Sequence, residues 1–199
     1  MSNAIRPSAA LMAVACAQQG YFTTKQAIVA GYADNTHPYH VHAGNWSRER
    51  RGIYRLAHLP PPENGEMMAW LLWSRGRDER PLAAISHRTA LSLFELDSCD
   101  VTNIHITVPP AFRRNTRPSA AVVLHRASLD PEDVTQMRGL TVCRPLRALW
   151  DLANTEPASA DDLRSMADEA RGRCLIMERD VLAMEKREKL PRFLARLFR

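Results

Sequence analysis

The stretch GNWSRERRGIYRL, residues 44–56, sets four arginines and one glutamate around Trp46 and Tyr54 and ends on the β-prone run Ile53, Tyr54 and Leu56. Its period is two on either side of the charged turn RERRG, the pattern of a strand folded back on itself. A β-hairpin with a basic tip is expected here. What precedes it reads as helix. Leu11, Val14 and Ala15 share one face of a first helix over residues 8–18, which Gly20 ends. TTKQAIVAG, residues 23–31, opens with Thr23 and Gln26 at capping-box spacing and stops at Gly31. A third short helix is expected from Thr36 to Ala43, with Asp34, Asn35 or Thr36 as N-cap, Pro38 in its first turn and Gly44 beyond its end. Helices followed by a basic hairpin predict a winged helix-turn-helix over residues 1–58.

Downstream, HLPPPENG at residues 58–65 can neither extend the hairpin nor start a helix before Glu63, so its prolines read as a stiff linker. The expected domains are 1–58, which binds DNA, and 59–199, of mixed α and β with a helical tail. The fold class is α+β. In the second part GEMMAWLLWS (65–74) and SHRTALSLFEL (86–96, N-cap Ser86) read as helices. NIHITVP (103–109) alternates Ile104, Ile106 and Val108 with His105 and Thr107, a strand with one wet face. SAAVVLHRA (119–127) and GLTVCRP (139–145) are two further strands. PLRALWDLAN and SADDLRSMADEARGRCL return to helix, the latter capped by Ser159 with Asp162 reaching back. Beyond Met177 the recurrence of Leu182, Leu190, Phe193, Leu194 and Leu197 predicts a terminal helix.

Charge is uneven along the 199 residues. Residues 1–58 carry six Lys or Arg against two acids, 59–170 twelve against sixteen, and 171–199 nine against four, which gives +4, −4 and +5. A basic front suits a polyanion. Guanidinium groups match phosphate oxygens in bidentate geometry, so Arg48, Arg50, Arg51 and Arg55 are the expected phosphate grip. Four such contacts predict a loss of affinity on the order of a hundredfold between 50 and 200 mM salt. Asn35, Thr36, His37, Tyr39 and His40 are the expected base-facing set, with Thr24 and Lys25 at the start of the preceding helix. Because imidazole titrates near pH 6.5, affinity is expected to strengthen as pH drops from about 7.5 to 6. His37, His40 and His42 also have HxxHxH spacing, but His42 turns off the shared face and no shell is completed, so no metal is expected.

Cys16, Cys99, Cys143 and Cys174 are far apart and form no CxxC, against a zinc knuckle or a disulfide framework and in favour of a reducing cytoplasm. AIRPSAALMAVACAQQG imitates a signal peptide, but its apolar run is short and alanine-rich, and export is not expected. No apolar run approaches the roughly 20 residues that span a bilayer. GxSxG, P-loop, HExxH and a carboxylate-lysine nuclease cluster are missing, so neither catalysis nor a cofactor is expected. The acids of LDPEDV and SADDL suit helix N-termini. His87, His105 and His125 read as structural.

GYFTTKQAIVAGY, RRGIYRL, ISHRTALSLFEL, IHITVP, the pair Arg113 and Arg114, VLHRASLDPEDV and GLTVCRPLRALWDLA together, in order over about residues 19 to 175, resemble the AbiEi antitoxin family of type IV toxin-antitoxin systems. The resemblance implies a winged helix that represses its own operon at inverted repeats and a C-terminal antitoxin domain; helix-turn-helix geometry leaves a dimer and a cooperative pair of monomers equally open. It implies a nucleotidyltransferase-like toxin neutralised without a stable complex. Arg113 and Arg114 match the family's paired arginines and form a second candidate basic surface, or stabilise a loop. The reading helix departs from the family in carrying histidines and Pro38 where relatives carry basic side chains. Two alternatives stay open: a solitary transcription factor whose second domain senses a ligand or metal, and a nucleic-acid-processing enzyme.

Overall fold

The computed structural model describes residues 7–97, 103–116, 118–155, 158–188 and 190–196. Cys99, Arg6 and Leu197 lie outside them. The described residues form a mixed α/β chain with two sheets. None of their helices is long and apolar enough to cross a membrane.

The chain divides into two compact units, residues 1–83 with 136–140, and residues 84–135 with 141–199. In the first, α1 (Ala9–Ala17) is capped by Ser8, whose Oγ accepts from the Leu11 amide at 3.2 Å. β1 (Tyr21–Thr23) leads into α2 (Thr24–Val29), where the capping box is present: Thr23 Oγ1 accepts from the Gln26 amide and the Gln26 side chain accepts from the Thr23 amide. A 3-10 turn at Asp34–Thr36 precedes α3 (His37–His42), and the hairpin follows as β2 (Trp46–Arg50) and β3 (Ile53–Leu56). The sheet order is β1-β3-β2, antiparallel throughout, with a register shift between Arg48 and Arg50. Leu11, Ala15, Phe22, Ala27, Trp46, Tyr54 and Leu56 fill the core beneath it.

The boundary falls at Ala83, not at residue 58. The reason is α4 (Gly65–Trp73), buried from Met68 through Trp73 and packed on the first sheet. Its N-terminus approaches so closely that a Cβ on Gly65 would collide with the Tyr21 hydroxyl. The proline run is therefore an internal connection of the first unit. Residues 136–140 join that unit through Gln19, whose Nε2 donates to the Arg138 carbonyl at 2.8 Å, and Gly139 at φ +82°, where a Cβ would sit 2.7 Å from the Ala17 carbonyl.

The second unit is built on a sheet of order β6-β5-β4-β8-β7, from β4 (Ala84–Ile85), β5 (Ile104–Val108), β6 (Val122–Arg126), β7 (Val134–Met137) and β8 (Leu140–Cys143). β5 runs antiparallel to β4 and parallel to β6. Helices α5 (His87–Leu93), α6 (Pro145–Thr155), α7 (Ala160–Gly172), α8 (Glu178–Glu185) and α9 (Arg192–Ala195) complete it, and α5 packs on α6. The tail is thus two short helices rather than one. The wet face expected of β5 is also dry: His105 and Thr107 are buried along with Ile106 and Val108, because β5 has a strand on either side and the N-terminus of α5 over the histidine face. Ser159 caps α7 by accepting from the Asp161 amide.

Candidate nucleic-acid interface

The four hairpin arginines separate into two pairs with different work. Arg55 is mostly buried. Its guanidinium donates to the Leu59 carbonyl at 2.8 Å and to Glu49 Oε1 at 3.3 Å. Arg50 lies with its Cζ 3.8 Å from the Trp70 ring centroid and its Nη2 3.1 Å from Glu66. Expecting these two as phosphate ligands is corrected on that ground: their charge is engaged by neighbours and they fasten the hairpin to α4 and to its own end. Arg48 and Arg51 are exposed. They, not all four, are the available cations of the tip.

The histidines of α3 require a second correction. His37 and His40 are buried, 1% and 8% exposed. The His40 ring stacks on Trp46 at 4.5 Å, and His37 packs against Trp46 and Tyr54 at 5.2 and 5.7 Å. His37 Nδ1 is 3.4 Å from the Asp34 carboxylate without hydrogen-bond geometry. Burial, then the neighbouring His37, lowers the His40 pKa, so this ring stays neutral where protonation was expected to strengthen DNA binding. The helix turns its imidazoles into the aromatic core because Trp46 and Tyr54 offer flat apolar faces there. What α3 leaves outside is Pro38, Tyr39 at 58% exposure, and His42. Asn35 is exposed on the preceding turn, and the Thr36 hydroxyl donates to the Ala33 carbonyl at 2.6 Å.

Lys25 is exposed but tied: its Nζ is 3.2 Å from Glu79, which also accepts from Thr23 Oγ1 at 2.6 Å and pairs with Arg75 at 3.1 Å. Thr24 is half-buried, its amide donating to the Gly52 carbonyl at 3.1 Å. Nothing in the order of residues announces Glu79, which follows α4 in the chain and meets Thr23 and Lys25 more than fifty positions before it.

In the second unit Arg113 and Arg114 are exposed, and Arg113 donates to the Pro110 and Phe112 carbonyls at 3.2 and 2.9 Å, a loop-stabilising role. LDPEDV does more than serve a helix dipole. Asp133, buried, pairs with Arg147 and Arg187 at 3.0 and 3.1 Å, and Arg147 also donates to Asp151 at 3.0 Å. Asp133, Arg147 and Arg187 border a cavity of about 360 Å³ that Arg144, Arg179 and Asp180 also line. Burial above all raises the Asp151 carboxyl to about 6, against the opposing pull of Arg147. The folded chain therefore keeps a proton there that an unfolded one releases near pH 4. The stabilisation is full below about pH 4 and lost as pH rises through about 6, a change on the order of 3 kcal/mol. Relative to wild type, Asp151→Asn should gain stability between about pH 4.5 and 7.5, read by urea unfolding at both. A difference that does not change with pH would refute this. Cys143 is buried, its thiol pushed up by desolvation, which makes it a core residue.

The histidines read as structural are the largest omission. His87, His105 and His125 come together in the second unit, with one nitrogen of each within 4.8 Å of the others. Burial first, then the neighbouring rings, lowers His87 to about 2 and His125 to about 4. No local spacing joins positions so far apart.

No family model matches the chain, and no curated protein matches it. Among solved structures it is similar to the RV2827C protein from Mycobacterium tuberculosis, at 16% identity and a TM-score of 0.54, over 97% of this chain and 77% of that one. At that identity the likeness concerns the fold alone, and the two chains share a mixed α/β architecture.

Proposed function

We propose that this chain is a DNA-binding transcriptional repressor of antitoxin type, its residues 9–56 acting as a winged helix on inverted repeats in its own operator. The observation that carries the reading is the division of labour in the hairpin. Arg50 and Arg55 brace it, while Arg48 and Arg51 stand exposed on a strand pair that follows two short helices. Tyr39, Asn35 and Thr36 are the base-facing side chains of this reading, and the antitoxin role, with a nucleotidyltransferase-like toxin as functional partner, rests on the ordered motif resemblance. With two phosphate contacts instead of four, the expected loss of affinity between 50 and 200 mM salt is about tenfold, from a slope of roughly −0.9 per contact.

The test is a footprint on the DNA upstream of the gene. Arg48→Ala/Arg51→Ala should weaken binding to every sequence and flatten the salt dependence without lowering the melting temperature. Arg50→Ala should do the reverse, lowering stability by about 1 kcal/mol through loss of the Trp70 contact. Undiminished binding by the Arg48/Arg51 variant would refute the reading. A second reading, a transcription factor whose second unit senses a metal, is favoured by the histidine convergence, and is separated from the first by whether co-expression rescues growth from an adjacent nucleotidyltransferase-like toxin.

A further inference from the structure

We propose that His87, His105 and His125 form a binding site for a divalent first-row transition metal of the zinc type, with three imidazole ligands and a fourth position open. This is independent of whether the first unit binds DNA. His105 on β5 and His125 on β6 lie on one face of the sheet, since Thr107 is the register partner of His125 and His105 is the diagonal neighbour. His87, the first residue of α5, is brought against that face.

The nitrogens are near ligating distance. His105 Nδ1 and His125 Nε2 are 3.1 Å apart, close to the roughly 3.3 Å between two nitrogens held at 2.0–2.1 Å by a tetrahedral ion. A hydrogen bond between those two rings would account for their approach, but it leaves His87 unexplained. His87 is 1% exposed, and its Nε2 is buried with no hydrogen-bond partner among the described residues. The other nitrogen, Nδ1, is 2.9 Å from Ser86 Oγ, which accepts from the Thr107 hydroxyl at 2.8 Å. With Nδ1–H donated to Ser86, Nε2 carries a lone pair, the usual way a protein fixes the tautomer and ring orientation of a metal-binding histidine. The backbone supplies a further sign: His87 adopts φ +53°, a left-handed conformation rare for a non-glycine residue and concentrated at functional sites. The rings of His87 and His125 stack at 3.5 Å, 17° from parallel. Both rings would have to turn about their Cβ–Cγ bonds for their lone pairs to meet on one ion, a small movement because one nitrogen of each of the three already lies within 4.8 Å of the others. Three neutral imidazoles without a carboxylate or thiolate select zinc, cobalt, nickel or copper over magnesium and calcium.

The experiment uses the full chain, stripped with chelator and titrated with Zn²⁺ by calorimetry and with Co²⁺ by visible absorbance. The expected result is one ion per chain and the intense bands of tetrahedral cobalt. Zinc should raise the melting temperature of the wild type. His125→Ala, on the edge strand β6 and only half-buried, is the variant least disturbing to the fold, and it should lose both the bands and the thermal shift. Ser86→Ala should weaken affinity about ten- to hundredfold while retaining the bands. Failure of the folded wild type to take up either ion, or equal uptake by His125→Ala, would overturn the proposal.

Discussion

Arg147→Ala is expected to lower the stability of the second unit by about 3–5 kcal/mol, the cost of breaking a buried ion pair from one side. Arg147 is 3% exposed on α6 and sits between two carboxylates, Asp133 and Asp151, each 3.0 Å away. Truncation leaves both buried acids facing a void. Asp133 retains Arg187, which also pairs with Asp130, so part of its charge stays compensated. Among the described residues no second cation pairs with Asp151, and none gives its buried Oδ2 a hydrogen bond. The loss should therefore be smaller at about pH 5, where Asp151 takes up a proton, than at about pH 8. Removing both charges with Arg147→Met/Asp151→Leu should restore most of the lost stability, because the desolvation of the pair disappears with it. Thermal and urea unfolding of the three chains at both pH values checks this. An Arg147→Ala chain that melts with the wild type would show that the ion network carries no net stability.

The contrast between Arg147 and the hairpin arginines also marks where residue order ceases to be informative. α1, α2, the hairpin, β5, β6, β8 and α6 were legible because their signals are local: the shared face of Leu11, Val14 and Ala15, the Thr23 and Gln26 capping box, and alternation around RERRG. β1 was not, because its three residues are strand only by pairing with Arg55, Tyr54 and Ile53, thirty or more positions on. The boundary was misread for a related reason. Three prolines are a local cue for a linker, whereas the attachment of α4 depends on Trp70, Trp73 and their neighbours finding a sheet to cover, and on Gly65 permitting its approach to Tyr21. Side-chain exposure was the least legible. Arg48, Arg50, Arg51 and Arg55 are alike in sequence, and only Trp70, Glu66 and Glu49 separate the pair that braces from the pair that is exposed. The histidines depart from expectation twice: His37 and His40 of α3 were read as base-facing and are core, while His87, His105 and His125 were read as structural and converge.

Trp46→Ala is expected to abolish the proposed DNA binding by unfolding the first unit, at a cost of about 3–5 kcal/mol. Trp46 is 3% exposed at the start of β2, and its ring meets Phe22 of β1, Tyr32, His37 and His40 of α3, and Tyr54 of β3, with centroids 4.5 to 5.6 Å away. Edge-on and stacked aromatic contacts of this kind add to the burial term. One side chain thus fixes both the hairpin that carries Arg48 and Arg51 and the helix that carries Tyr39. Truncation opens a cavity against two buried imidazoles, which regain hydration only if α3 lifts away, so the site cannot collapse at small cost. Loss of binding should accordingly track loss of structure in circular dichroism, and Trp46→Phe should restore part of both. Arg48→Ala/Arg51→Ala should instead lose binding at an unchanged melting temperature. The two behaviours separate a scaffold residue from a contact residue, and a stable Trp46→Ala chain that still bound DNA would show that α3 and the hairpin do not depend on their shared aromatic core.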